Sequence, residues 1–276
     1  MLSSFYVKEH VKSALQEDIG FGDITTENLA TEEDYLKAEL NTRTDGILCG
    51  IDVFKTVFET LSDKVEINFY FKDGDKIKKG DKIADLKGSA KYLLMGERVA
   101  LNYIQRMSGI ATETRKYQDA IGEYPAKIVD TRKTTPNFRA FEKYSVKIGG
   151  GALHRFNLSD CAMVKDNHIR LAGSITSAVK KLRKNISHAH KIEVECDTLE
   201  QVKEALITGA DIIMLDNMDL ETMHAACSLI NHSAIVEASG NVTLDTVKDI
   251  AACGVDIISS SAIVAKAPTL DIALDM

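Results

Sequence analysis

Apolar positions between Ala90 and Ala120 recur with helical spacing: Ala100, Ile104, Met107 and Ala111 stand at i, i+4, i+7 and i+11 and share one face. Upstream, from about Lys37 to Gly88, the pattern is shorter and closer to alternation. Ala38–Thr42 and Val65–Phe71 read as strands, and the stretch from Lys72 to Ala84, with its Asp-Gly and Gly-Asp turns, reads as a hairpin. After about Ala126 the rhythm changes. Apolar runs at Ile128–Asp130, Ala162–Val164, Ile192–Cys196, Ile212–Leu215, Ala234–Ala238 and Val255–Ser259 alternate with helical segments such as Thr198–Thr208, Leu220–Ile230 and Leu244–Cys253. Strands separated by helices predict right-handed βαβ units and a parallel sheet. The six runs, fewer than the eight of a regular barrel, predict an incomplete or irregular α/β barrel, with a doubly wound open sheet as the competing architecture.

Composition narrows the function classes. The 276 residues are 45% hydrophobic with only 3 prolines, as in a packed globular protein. A net charge of -7 argues against a general nucleic-acid binder, whose footprint is basic, but leaves room for an anionic ligand held by local charge. The 5 cysteines are scattered and form no Cys-x-x-Cys pair, which fits a reducing compartment and offers neither a zinc site nor a disulfide framework. No sustained apolar stretch follows the start, and no window has the roughly 18–20 apolar residues of a membrane helix. A soluble, cytoplasmic protein is expected.

The residues that close each apolar run carry the chemistry. Ile-Val-Asp130 leads into Thr131-Arg132-Lys133, and Met-Val into Lys165-Asp166. The later runs end at Glu195, at Asp216, at Ser239-Gly240-Asn241 and at Ser259-Ser260-Ser261. In parallel α/β folds the active site forms at the carboxyl ends of the strands, so these six termini read as one site. From Arg132 to Arg170 there are eight bases against three acids, so the ligand should be a polyanion. Arg139, Lys143 and Lys147 fall at i, i+4 and i+8 on one helix face and read as bystanders. Glu195 and Asp216, on consecutive strands, can share Mg²⁺, directly or through water or substrate, or bind ribose hydroxyls. Glu193 is expected to face away from Glu195. Ser239–Asn241, with Thr243 as the cap of the next helix, and Ser259–Ser261 are the candidate phosphate loops. His154 shares a short segment with Arg155 after Gly149-Gly150-Gly151 and is a candidate substrate contact; His168 either joins the site or caps the segment after Lys165. No Gly-x-Ser-x-Gly elbow supports acyl transfer.

These residues resemble a known family. Glu17 to Thr26, Gly96 to Asn102, Asp130-Thr-Arg-Lys-Thr-Thr-Pro136, Glu142-Lys-Tyr144, Gly149-Gly-Gly151, His154-Arg155, Lys165-Asp-Asn-His-Ile169, Ile192-Glu-Val-Glu195, Leu215-Asp-Asn217 and Val236-Glu-Ala-Ser-Gly240 are similar, in order and over nearly the whole chain, to quinolinate phosphoribosyltransferases. The resemblance implies an irregular open α/β barrel with an N-terminal α/β sandwich domain. The sandwich would span residues 1–112 and the catalytic barrel 113–265, with 266–276 returning to the sandwich. It implies a homodimer in which Arg98 reaches the other subunit's site. Arg132, His154, Arg155 and Lys165 would hold the quinolinate carboxylates, and Lys133, beside Thr131, the phosphates of phosphoribosyl pyrophosphate. Glu195 and Asp216 would contact its ribose and Mg²⁺, and the two serine-containing loops its 5′-phosphate. Lys133, Lys165, Glu195 and Asp216 are the expected catalytic residues.

One departure concerns the last loop, where Ser259-Ser260-Ser261-Ala262 replaces the family's usual Ser-Val-Gly-Ala. Serine fits there only if the backbone does not need positive φ. Asn241, where many relatives carry Gly, is milder because Asn tolerates the left-handed region. A related phosphoribosyltransferase acting on nicotinate or another ring acid is the nearest alternative, though four cations, Arg98 included, favour a diacid. The Lys72–Gly88 stretch also resembles carrier-domain hairpins, but no flanked acceptor lysine marks a tip. A non-catalytic binding protein is disfavoured because every expected charged position is filled.

Overall fold

The computed structural model describes residues 2–31 and 33–276. The chain divides into two compact units, one of Met1–Arg115, Pro136–Gly150 and Ala267–Met276, the other of Lys116–Thr135 and Gly151–Lys266.

The first unit opens with α1 (Ser4–Ile19), which buries Val7, Val11 and Leu15 at i, i+4 and i+8, and α2 (Ile24–Leu29), whose start is capped by the Asp23 carboxylate. There follow β1 (Tyr35–Thr42), β2 (Gly46–Ile47), α3 (Ile51–Leu61), β3 (Val65–Phe69), β4 (Lys76–Ile77), β5 (Lys82–Ser89) and the long α4 (Ala90–Ile121), which continues into the second unit. The predicted helical face is real, for Ala100, Ile104, Met107 and Ala111 are fully buried. The C-terminal strand joins this unit: Ile272–Asp275 pairs antiparallel with β1 at one edge of a four-stranded sheet that continues through β5 to β3. The predicted hairpin after Lys72 does not form. Lys76–Ile77 pairs with Gly46–Ile47 instead, because glycine turns at Gly74 and Gly80, with φ of 96° and 92°, redirect the chain on both sides of it. Alternation identifies a strand but not its partner.

In the second unit a parallel sheet is built from β6 (Lys127–Val129), β7 (Ala162–Val164), β8 (Ile192–Cys196), β9 (Ile212–Asp216), β10 (Ile235–Ser239) and β11 (Ile257–Ser259). The helices are α6 (Asp166–Ala172), α7 (Ile175–Asn185), α8 (Leu199–Ile207), α9 (Leu220–Ile230), α10 (Val247–Ala252) and α11 (Ala262–Ala265); α5 (Arg139–Ile148) lies in the first unit, and the terminal strand above is β12. The sheet order is β6-β11-β10-β9-β8-β7, so the first strand lies beside the last. That order makes a curled, barrel-type sheet rather than a doubly wound one. Among the described residues β6 and β7 do not pair; Val129 bridges Ala152 instead, leaving the barrel open and irregular. The helix expected from Leu244 starts at Val247. Thr243 is not its cap but the first residue of a preceding turn, its carbonyl accepting from the Val247 N–H at 3.0 Å.

The chain-order border expected at 112/113 does not match the packing, since residues 136–150 belong to the first unit. Phe138 and Phe141 stack at 4.9 Å and meet Tyr103 and His10, a cluster that anchors α5 to α1 and α4. A second anchor is Asp73. Its Oδ1 accepts the N–H groups of Gly50 and Ile51 at the start of α3, at 2.9 and 3.1 Å, and its Oδ2 accepts from the Tyr144 hydroxyl at 2.7 Å. Asp73→Ala is expected to lower the unfolding free energy by about 1–2 kcal/mol through the lost cap and the stranded hydroxyl, read as a fall in the urea midpoint at unchanged slope.

Candidate active site

A cleft of about 620 Å³ lies at the carboxyl ends of the parallel strands. The residues after β6 (Thr131, Arg132 and Lys133) line it, as do His154, Arg155, Lys165 after β7, Glu195 near the end of β8 and Asp216 at the end of β9. Ser239, Gly240 and Asn241 from β10 and Ser259, Ser260 and Ser261 from β11 complete the predicted set. Arg98 is the exception: it is exposed on α4, in the first unit, and is not among the lining residues. Five lysines and arginines face three acids in the cleft, so the local field favours an anion in a chain of net negative charge.

Each rim residue has its own setting. Lys165 Nζ forms an ion pair with Glu195 Oε2 across β7 and β8. The Thr131 hydroxyl accepts the Lys133 N–H at 3.0 Å, which shapes the turn carrying Arg132. Asp216 accepts from the Asn217 side chain at 2.8 Å, and Asn217 in turn accepts from Asn241 at 3.1 Å. Asn217 and Asn241 both adopt positive φ, 53° and 51°, which asparagine tolerates. None of Ser259, Ser260 and Ser261 has positive φ, so serine fits the loop without strain.

Below the rim, the barrel interior is acidic. Glu193 and Glu237 are buried, and His154 Nε2 lies 3.5 Å from Glu193 Oε2 and 3.4 Å from Glu237 Oε1. The expectation that Glu193 faces away from Glu195 is wrong. With a side-chain period of two, residues 193 and 195 share a face, one deeper than the other. Burial disfavours a cation on His154, but hydrogen bonds to Glu193 and Glu237 outweigh it and push its pKa up to about 9. The Arg155 N–H opposes that second proton, because it donates to His154 Nδ1 at 2.7 Å and needs the lone pair there. This is the closest contact of the ring, and it favours the neutral form. The proton drawn to the cluster then stays with the carboxyl groups, in keeping with Glu193, whose pKa is raised by burial and by the charge of Glu237.

With the geometry in place, comparison with known proteins is direct. The family model for the quinolinate phosphoribosyl transferase C-terminal domain matches residues 110–275, and that for the N-terminal domain matches 23–108. The chain belongs to the quinolinate phosphoribosyltransferase family. It is 44% identical to a probable nicotinate-nucleotide pyrophosphorylase (carboxylating) of Synechocystis, over 95% of this chain and 90% of that one. The corresponding Bacillus subtilis protein is 42% identical over 100% and 95%. The crystal structure of NadC from Streptococcus pyogenes superposes with a TM-score of 0.97 at 40% identity, covering 100% of this chain and 98% of that one. A human nicotinic acid phosphoribosyltransferase, at 10% identity and a TM-score of 0.62, shares the fold alone.

For this phosphoribosyltransferase family member, the sequence missed Met163, Met214, Asn217, Glu237, Val242, Ala262 and Lys266 in the cleft. Asn217 was signalled by the Leu-Asp-Asn motif, and Glu237 by an acid in the middle of an apolar run, where only a buried partner makes it tolerable. Other motif residues serve the scaffold. Glu142 is buried and pairs with Arg106 at 3.1 Å, Tyr144 binds Asp73, and His168 caps α6 by accepting the Lys165 N–H at 3.0 Å. Gly240 has φ 96°, and a Cβ there would meet the Asn217 side chain and, at 2.9 Å, its backbone nitrogen. Gly240→Ala is therefore expected to cost about 1–3 kcal/mol in strain, measured by equilibrium urea unfolding.

Proposed function

We propose that this chain joins quinolinate to phosphoribosyl pyrophosphate and releases carbon dioxide and pyrophosphate, giving nicotinate mononucleotide. The observation that carries the reading is the cleft itself, where cations from four chain segments surround two rim carboxylates in a protein whose two halves both match this family. Arg132, Arg155 and Lys165 take the two ring carboxylates, with His154 in the wall beside them. Lys133 takes the pyrophosphate, and the loops Ser239–Asn241 and Ser259–Ser261 take the 5′-phosphate. Glu195 and Asp216 take the ribose. Their hard oxygen donors also fit magnesium, which favours one or two carboxylates plus substrate phosphates and would neutralise charge on the leaving pyrophosphate.

As pyrophosphate departs, the ribose carbon acquires oxocarbenium character, and Glu195 or Asp216 stabilises it electrostatically. The pyridine nitrogen adds at that carbon, with positioning by the arginines supplying about 7–11 kcal/mol of the acceleration. The quaternised nitrogen then accepts the electrons of the breaking carbon–carboxylate bond, carbon dioxide leaves, and a proton takes its place.

A homodimer in which Arg98 of one copy serves the other copy's cleft is part of this proposal. Exposed Phe5, Ile24 and Leu29 in the first unit, and Leu158 and Leu171 in the second, offer apolar surface for a second copy to cover. Five free cysteines, three of them buried, suit a cytoplasmic location, and among the described residues no helix is long and apolar enough to cross a membrane. A related enzyme acting on a ring with one carboxylate is the second reading, and the same assay separates the two. Mixing quinolinate, phosphoribosyl pyrophosphate and magnesium should release carbon dioxide, chelation should stop it, and nicotinate should not replace quinolinate. Arg155→Ala is expected to cost about 2–5 kcal/mol of quinolinate binding, seen as a raised KM in that assay.

A further inference from the structure

His154 is held at three points. Its backbone N–H donates to Asp130 Oδ1 at 2.9 Å, its Nδ1 accepts the Arg155 N–H at 2.7 Å, and its Nε2 faces Glu193 and Glu237 at 3.5 and 3.4 Å. A nitrogen that accepts an N–H must keep its lone pair, so the proton of the neutral ring sits on Nε2 and points at the two carboxylates. Both ring nitrogens are thus used within the protein, and the side chain is only 10% exposed. No ring N–H remains to aim at a substrate carboxylate.

Arg155 is the residue that gains. Its backbone is tied to the His154 ring, and its guanidinium donates from Nη1 to the Cys161 carbonyl at 2.9 Å and from Nη2 to Met163 Sδ at 3.4 Å. A guanidinium has five N–H donors in a fixed fork, so these contacts leave others for the cleft while setting the direction of the fork. Carboxylate recognition by such a fork depends on its angle, and fixing that angle beforehand is where the histidine acts.

The geometry points to His154, Glu193 and Glu237 as positioning residues: the two buried carboxylates lock the ring, and the ring orients Arg155, which alone of the four contacts substrate. This rests on the quinolinate reading. The same three side chains, whose ligand atoms lie within 4.8 Å of one another, could instead be read as a metal site. Ligation by Nε2 while Nδ1 accepts the amide would require a doubly deprotonated ring, so the observed hydrogen bonds oppose it.

The first test needs no substrate and no variant to fold. In ligand-free protein labelled with ¹⁵N-histidine, the His154 resonance, assigned by its loss in His154→Asn, should show Nε2 protonated and Nδ1 bare at neutral pH, unchanged by added zinc or magnesium. A proton on Nδ1, or a shift at Nε2 on adding metal, overturns the proposal whether or not the enzyme uses quinolinate. The second test is kinetic. His154→Asn keeps an oxygen able to accept the Arg155 N–H and should hold the quinolinate KM within about threefold, whereas His154→Ala should raise it about tenfold or more at similar kcat. Combined with Arg155→Ala, His154→Ala should add no further rise, because its effect passes through Arg155. Equal damage from Asn and Ala, or additive effects in the double variant, would show that His154 binds substrate itself.

Discussion

All six strands of the second unit run in the same direction. Parallel neighbours cannot be joined by tight hairpins, so each helix must carry the chain back to the amino end before the next strand begins. Every strand therefore delivers its last residue to one rim, and residues as far apart in sequence as Arg132 and Ser261 line one cleft. The connection between β6 and β7 departs from the rule. It passes through α5, which belongs to the other unit, and returns along Ala152, which bridges Val129 where a regular barrel would have another strand. His154 and Arg155 follow that bridge directly, so the irregularity of the barrel is what brings them to the site.

Placing acids inside the barrel is costly, since a buried carboxylate without a partner loses several kcal/mol of hydration. Glu193 and Glu237 sit among strands whose other buried residues, Val194, Ile213, Leu215 and Ala238, are apolar. What makes them tolerable is the single imidazole between them, and the imidazole in turn depends on Asp130 and on the Arg155 amide. The floor of the site is thus a connected polar group that must fold as a whole, and it holds the chain after β6 in one orientation.

The sequence made the rim legible because the strand-end rule converts one-dimensional order into position: every predicted cleft residue except Arg98 lines the cavity. It did not reveal the floor, because attention to where apolar runs stop passes over an acid within them, and Glu193 was assigned to the wrong face. The hairpin after Lys72 and the place of residues 136–150 failed for a different reason. Pairing and unit membership are long-range choices, decided by glycine turns at Gly74 and Gly80 and by the aromatic contacts of Phe138 and Phe141, and local pattern carries neither. Arg98 was inferred from family resemblance alone, and a single chain cannot show what a second copy would bring.

Rim and floor differ in how easily their charges can change partners. The Lys165–Glu195 pair has side chains 41% and 15% exposed, and pairs so open to water contribute only about 0–1 kcal/mol. Each member is therefore kept charged and in place at little cost, ready to exchange its partner for a ligand of opposite sign. Had the pair been as buried as His154 with Glu193, separating it would strand a charge in a poor dielectric, and binding would have to overcome several kcal/mol before any gain. The fixed cluster lies beneath the labile one, so substrate can reorganise the rim without disturbing the group that sets the direction of Arg155. A cleft arranged in this way binds anions through charges that are mobile in partnership but not in position.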